Sequence, residues 1–416
     1  MYADDIVILS ETQEGLQQRM DLLHAYCSKW CLNVNLSKTN VIIFNKTGKC
    51  LKYPIYFNGT LISSTLSYKY LGITISSSGK FNQCKDDLYK KSMKACFKLQ
   101  HCLSSTNPSV ETLLHLYDHT IKPILIYGSE IWGMFSVDSS SCRKTSDYCL
   151  EKIFSNGHTE QSHMKFLKYI LGVNRKTANI AVMSELGRYP IYFSVILAML
   201  KFCHRLESFQ EGLLYDAYIC NKDLHFSKIS TWYSSILYIM DKLKINSLNL
   251  KLGQLCKQVK NIMFKSFLNF WHSVKLNATS SNRGKLNTYF YLKSHFGKEK
   301  YLEINNFKTR QSICKIRISA HSLNIETGRY KNIERSERKC TNCFMGDVED
   351  EQHFIMNCPL YENLRKIFFN KIINVCPNFR YMDTKSKFFW IFTNEDKQIL
   401  KELGSFIDEC FSLRKN

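Results

Sequence analysis

The hydrophobic period changes once along this chain, and that change fixes what it can fold into. In the first eighty residues short apolar runs surround one helical stretch, whereas from Asp86 apolar residues recur at helical spacing with few glycines or prolines. Ile6, Val7, Ile8 and Leu9 read as a strand. Ser10-Glu-Thr-Gln13 has the spacing of a capping box, and Leu16, Met20, Leu23, Cys27 and Trp30 predict a helix over about 12–31 with one buried stripe. Val41 to Phe44 predicts a short strand. Leu51 to Phe57 runs into Asn58-Gly59, which favours a tight hairpin because both residues tolerate positive φ, with Leu61 and Ile62 returning. Tyr70-Leu-Gly-Ile-Thr-Ile75 predicts one further strand, ending at Ser-Ser-Ser-Gly79. The expected class is α+β, mostly helical.

Beyond residue 80 the pattern predicts a helix to Cys102, a loop over Ser104 to Asn107 and a second helix from about Ser109. The segment from Pro123 to Trp132 is apolar apart from Glu130, which reads as a paired, partly buried structural carboxylate. Residues 136 to 146 predict a linker, and Asn277 to Asn287 a second one. Helical periodicity fills the stretch between, from Met164, interrupted by Gly187 and Pro190. Pro190 to Leu200 is too short to span a bilayer and predicts a core helix, so no membrane partner is expected.

A chain of 416 residues accommodates two to four domains. Its 57 Lys and Arg against 36 Asp and Glu leave a formal charge of +21, which points to a polyanionic partner, most simply nucleic acid. Seventeen cysteines occur with no secretory signal, so reduced thiols and a nuclear or cytoplasmic, non-secreted setting are expected.

Three constellations carry chemistry. Asp4 and Asp5 are adjacent carboxylates at a turn before an apolar run, a pair suited to hard divalent cations, although an ordinary solvated turn has the same form. Cys340-Thr-Asn-Cys343 is followed by His353 after nine residues and Cys358 after four more. Three thiolates and an imidazole so spaced suit a closed tetrahedral Zn²⁺ site whose role is architectural, with Gly346-Asp-Val-Glu-Asp-Glu351 adding negative potential. The other fourteen cysteines read as packing residues. Residues 283 to 339 hold fourteen Lys or Arg against five Asp or Glu, interleaved with aromatics. Lys315, Arg317, His321, Arg329 and Arg338 are the strongest candidates there for an RNA or DNA contact surface. A basic solvated face over an aromatic core is the alternative.

Four blocks in order resemble the reverse transcriptases of non-LTR, LINE-type, jockey-like retrotransposons. Tyr2-Ala-Asp-Asp5 resembles the catalytic hairpin of the polymerase palm, and Trp30-Cys-Leu-Asn-Val-Asn-Leu-Ser-Lys38-Thr the next palm motif. Tyr68-Lys-Tyr-Leu-Gly-Ile73 resembles the primer grip, and the segment from Tyr117 to Trp132 the thumb. Leu171-Gly-Val, Glu185-Leu-Gly and the cysteine block resemble the C-terminal extension of the same enzymes.

The resemblance implies a palm remnant over 1–80, a helical thumb over 81–145, a helical connecting region over 146–282 and a basic, zinc-knuckle-like region over 283–416. It implies Asp4 as a Mg²⁺ ligand, Asp5 as its electrostatic neighbour and Lys38 beside the triphosphate. Tyr2 and Ala3 would lie near the nucleotide and primer end, with Tyr70, Leu71 and Gly72 on the primer backbone. RNA template and target DNA are the implied partners. A full enzyme of this family has a further metal-binding aspartate and fingers upstream, so the chain is expected to be a truncated form, inactive alone. A non-catalytic nucleic-acid-binding module and an inert product of a decayed element are the alternatives.

Overall fold

The computed structural model describes residues 4–45, 47–133, 157–246, 250–280 and 285–414. These form two compact units, Met1–Lys90 and Lys91–Asn416. The linker expected at 136–146 lies outside the described residues, as do Tyr2 and Ala3.

In the first unit, helix α1 (Gln13–Lys29) begins two residues later than the capping-box spacing predicts. Thr12 is the cap and accepts from the Gly15 N–H at 3.1 Å, while the Ser10 hydroxyl donates to the Thr12 carbonyl. Met20 and Cys27 are buried. Met20 packs with Ile55, Phe57 and Ile62, and with the partly buried Ile8, Leu16, Leu23, Val34, Leu36 and Val41. Trp30 departs from the predicted stripe and is 58% exposed, because the helix closes there. Cys31 takes φ of 52° and Leu32 N–H returns to the Cys27 carbonyl.

The strands are short pairs, not one sheet. β1 (Asn40–Val41) runs parallel to β4 (Ser63–Ser64), and β2 (Tyr56–Phe57) is antiparallel to β3 (Thr60–Leu61). Asn58 and Gly59 turn that hairpin with φ of 47° and 71°, as its sequence predicts. The single strand predicted over Tyr70 to Ile75 is instead a second hairpin. β5 (Ser67–Tyr70) pairs with β6 (Ile73–Ser76), with Tyr70 opposite Ile73, and Leu71 and Gly72 turn it with φ of 45° and 85°. Leu-Gly inside an apolar run hid this turn, since leucine is rarely chosen for the left-handed region. Ile6 to Leu9 forms no named strand: Ile8 packs inward while Ile6, Val7 and Leu9 are exposed.

Helix α2 (Asn82–Cys102) contains the boundary between the units. In the second unit α3 (Val110–Leu116), capped by Ser109, passes into a π turn over Tyr117–Ile121 before α4 (Lys122–Leu125). Lys122 N–H bonds the Tyr117 carbonyl five residues back, and the widened turn accommodates Pro123, which has no N–H to donate. Gly128, at φ of 68°, starts the short α5 (Ser129–Trp132), where Glu130 is half-buried and its carbonyl accepts from the Trp232 indole at 2.9 Å.

Helices α6 (His158–Leu171) and α7 (Asn179–Leu186) end on Gly172 and Gly187 at φ of 64° and 62°. In each, the N–H two residues beyond the helix reaches back across the last turn, Val173 to Lys168 and Arg188 to Met183. The Leu-Gly pairs of the family-like blocks are therefore helix ends. The Pro190 to Leu200 run lies within α8 (Tyr192–Glu207), with Val195, Ile196, Met199, Leu200 and Cys203 buried as predicted. α9 (Leu213–Phe226), α10 (Trp232–Lys242) and α11 (Leu252–Ser280) follow.

Leu255, Val259, Met263, Phe267 and Trp271 make one buried stripe on α11, each contributing about 1.5–3 kcal/mol by burial. Tyr189 stacks on Phe264 at 4.2 Å beside Phe193, Phe267 and Phe296. α11 continues to Ser280, through part of the linker predicted from Asn277. The remaining helices are α12 (Asn287–Leu292), α13 (Phe307–Arg317), α14 (Asn324–Tyr330), α15 (Glu362–Val375), α16 (Thr384–Thr393) and α17 (Lys397–Leu413). Among the described residues no helix is long and apolar enough to cross a membrane, and every cysteine is free.

Candidate functional site

In the first unit, Asp4 and Asp5 are exposed on the segment that leads to α1. Arg19 Nη1 donates to the Leu9 carbonyl at 2.7 Å, and Ile8 packs into the small core, so this segment is held against the helix. Lys38 is exposed in a turn built by Asn35, whose side-chain oxygen accepts from the Ser37 N–H and hydroxyl. The Tyr68 hydroxyl donates to the Lys38 carbonyl at 2.8 Å, joining the Lys38 turn to the hairpin that presents Tyr70, Leu71 and Gly72. Among the described residues no ion pair joins Lys38 to Asp4 or Asp5. Among the described residues the two carboxylates belong to no group of three or more Cys, His, Asp or Glu side chains able to hold a metal ion. Alone they do not make a closed Mg²⁺ site.

In the second unit such a group exists. Cys340, Cys343, His353 and Cys358 bring their ligand atoms within 4.8 Å of one another, and Cys343 Sγ lies 3.5 Å from His353 Nε2. A tetrahedral site with bonds of about 2.0–2.3 Å needs ligand separations of about 3.3–3.8 Å, so the donor set fits a metal with slight contraction. The backbone explains the convergence. Lys339 and Val348 form a β-bridge and Cys340 N–H bonds the Asp347 carbonyl, with Gly346 at φ of 73° in the loop between. His353 opens a π turn whose end, Cys358 N–H, returns to the His353 carbonyl at 2.8 Å. Arg365 then fixes Cys358 by donating to its carbonyl at 2.6 Å.

The surroundings suit a cation. His353 Nδ1, buried and without a hydrogen bond, has the Asp347 carboxylate 3.6 Å away, the arrangement that orients a metal-ligating imidazole. Burial pushes the Cys340 thiol up to about 12 and raises Cys358 likewise, a preference for the neutral thiol that a bound divalent ion reverses. The acidic segment does more than supply potential. Glu349 is buried, accepts from Asn324 N–H and pairs with Arg414 at 2.7 Å, and Asp350 caps the His353 turn. Composition alone did not separate Asp347 and Glu349 from their neighbours.

The basic segment divides under the structure. Arg317 is a correction: it is fully buried and belongs to the core. Its Nε and Nη2 donate to Glu185 at 3.1 and 3.2 Å, Nη1 donates to the Phe392 carbonyl, and Nη2 lies 2.9 Å from Glu299. Tyr301 also donates to Glu185, and Lys293 pairs with Glu299. His321 is a second correction, its side chain buried and its Nε2 2.9 Å from Glu351. Both belong to a run rich in basic residues, and their counterions lie 132 and 30 residues away in sequence. Lys315 is half-buried on α13, whereas Arg329 and Arg338 line a cavity of about 110 Å³. Lys285 and Arg335 join them there, and the spacing of the basic run did not single those two out.

Comparison with known proteins finds similarity over part of the chain. Residues 1–75 match the model of the reverse transcriptase (RNA-dependent DNA polymerase) family. Over 141 residues, the chain is 30% identical to the probable RNA-directed DNA polymerase from transposon BS of Drosophila melanogaster, covering 32% of this chain and 16% of that protein. It is 27% identical to the RNA-directed DNA polymerase from mobile element jockey of the same species, and 29% to that of Drosophila funebris, each over 32% of this chain and 15% of the relative. The catalytic-box, turn and hairpin residues lie inside the matched span, so residues 1–75 match a reverse transcriptase domain and the chain is similar to the polymerases of jockey-like, non-LTR elements, of whose length it spans about one sixth.

Proposed function

We propose that this polypeptide carries the catalytic box and downstream regions of an RNA-directed DNA polymerase, whose parent reaction is attack of a primer 3′-hydroxyl on a dNTP over a nucleic-acid template. The observation that carries the reading is the family match over residues 1–75, which contain Asp4, Asp5, Lys38 and the Leu71-Gly72 hairpin. In this reading Asp4 is a Mg²⁺ ligand, Asp5 adds negative potential and Lys38 faces the triphosphate. Tyr2 and Ala3 border the primer end, and the Tyr70, Leu71 and Gly72 tip holds the primer backbone. The bound metal would supply activation of the hydroxyl and charge stabilisation.

The four-part division into palm, thumb, connecting and zinc-binding regions is part of the same proposal. Cys340, Cys343, His353 and Cys358 would hold Zn²⁺, which cross-links the 340–358 loop and has no open position for chemistry. RNA template and target DNA are the proposed partners, with Arg329 and Arg338 among the contacts.

Two-metal chemistry needs ligands on both sides of the ion pair, and Asp4 and Asp5 have no third partner among the described residues. These 416 residues alone are therefore proposed not to extend a primer. A primer-extension assay with Mg²⁺ and dNTPs tests this: product abolished by Asp4→Ala would restore full activity to the chain. Hydrogen exchange with a primer–template tests the family roles. Protection of the 67–76 hairpin is expected, and unchanged exchange there would remove the primer-holding role.

A further inference from the structure

We infer that the cavity beside α12 and α14 is a subsite for one backbone phosphate of a single-stranded nucleic acid, with the Tyr330 ring receiving a neighbouring base. The inference rests on the polymerase reading above and gives the nucleic acid a place on the second unit.

Lys285, Arg329, Arg335 and Arg338 line the cavity together with the carboxylates of Glu326, Glu334 and Glu351, four cations against three anions. Glu326 and Glu351 already have partners. Glu351 accepts from Thr288, Ser319 and His321, and Glu326 pairs with Arg329. Arg338 is fixed in the wall, donating through Nε to the Ile333 carbonyl at 3.0 Å and through Nη1 to the Ile325 carbonyl at 2.8 Å. Gly328 makes that placement possible, because a Cβ there would stand 2.7 Å from Arg338 Cγ. A pre-set guanidinium among further cations in a small concavity is the arrangement that recognises a phosphate.

A second observation indicates what accompanies the phosphate. Tyr330, next in sequence to the cavity residue Arg329, is 55% exposed, with the Arg329 guanidinium 5.3 Å and Lys176 Nζ 5.1 Å from its ring. Lys285 Nζ donates to the Lys176 carbonyl at 3.1 Å, which ties the 176 loop to the cavity. An exposed ring flanked by cations is a stacking platform for an unpaired base, whereas bases within a duplex offer no free face. Three separate chain segments thus converge on one phosphate-and-base footprint.

The test is fluorescence anisotropy on the full chain with labelled single-stranded RNA and DNA of one sequence, the corresponding duplex, and inorganic phosphate and a mononucleotide as competitors. Tyr330→Ala should weaken single-strand binding by about 5–100-fold, the stacking contribution of one base, and change duplex binding less. Lys176→Glu with Arg335→Glu should weaken it at least about tenfold and flatten the salt dependence by about one to two units of slope. Thermal melts matching the parent confirm that both variants fold. Binding within about twofold of the parent in both variants overturns the inference while leaving the polymerase reading intact. Loss of oligonucleotide binding in the parent itself would count against both. Displacement of the oligonucleotide by equimolar inorganic phosphate would replace the subsite with a free-phosphate site and overturn it.

Discussion

Replacing Arg317 by Met separates its two possible roles, surface phosphate contact and core counterion. The side chain is 1% exposed, and its network holds two carboxylates, Glu185 and Glu299, against two cations, Arg317 and Lys293. Arg317→Met leaves that buried set with one uncompensated negative charge. Glu185 keeps the Tyr301 hydroxyl at 2.6 Å, but Lys293 Nζ is 4.0 Å away and already paired with Glu299. Removing one partner of a buried pair costs about 3–5 kcal/mol, a large share of a domain stability of about 5–15 kcal/mol. With m of about 3 kcal/mol/M, the urea midpoint of the second unit should fall by about 1–1.7 M, followed by circular dichroism. Pairing the change with Glu185→Gln restores the charge balance and should recover at least about 1 kcal/mol. A midpoint unchanged in Arg317→Met, or a double variant no better than the single one, would refute the argument. Loss of oligonucleotide affinity at unchanged stability would return Arg317 to the binding surface.

The other predictions are narrower. Zinc analysis of protein purified without chelator should find about one equivalent, and Cys343→Ser or prolonged chelation should expose the 340–358 loop to protease; a metal-free chain with the loop equally resistant would remove the site. Burial raises Glu160 to about 8, so the folded state holds its proton more tightly than the unfolded chain does. Its contribution is then fully present below the ordinary carboxylate range and lost as pH rises toward about 8, with a slope approaching about 1.4 kcal/mol per pH unit. Glu160→Gln keeps an acceptor for the Ile191 N–H and should flatten a melting-temperature profile between the ordinary carboxylate range and about pH 8; an unchanged profile counts against the assignment. Gly172→Ala should cost at least about 1 kcal/mol, since its φ is 64° and a Cβ would stand 2.3 Å from Gln311 Nε2, and a melt within error of the parent would contradict that geometry.

What the sequence disclosed was local. Asn58-Gly59, the α8 core run and the cysteine–histidine spacing each specify their geometry over a few residues or one loop, and the structure places them as expected. The misses share the opposite character. Leu71-Gly72 reads as strand in sequence because the left-handed leucine is a property of the folded turn, not of the apolar pattern around it. Trp30 fits the buried stripe in sequence because periodicity does not reveal where the helix closes, one residue before Cys31.

The basic run makes the same point about charge. A surplus of cations in sequence becomes a binding surface only after internal counterions are subtracted, and those counterions are non-local. Arg317 finds Glu185, and His321 finds Glu351, so two of the five chosen side chains contribute to the core rather than to the surface. The subtraction also reveals cations that the run did not favour. Lys176 lies far outside it, yet the Lys285 bond to its carbonyl and the shared Tyr330 ring bring it beside Arg329. Polyanion affinity should therefore follow the cavity cluster rather than the local density of lysine and arginine. Charge reversal at Lys176 and Arg335 should exceed in effect the reversal of two exposed lysines elsewhere, such as Lys385 and Lys401, at equal change in net charge. Equal effects at the two places, measured by oligonucleotide anisotropy at one salt concentration, would show that net charge alone governs binding.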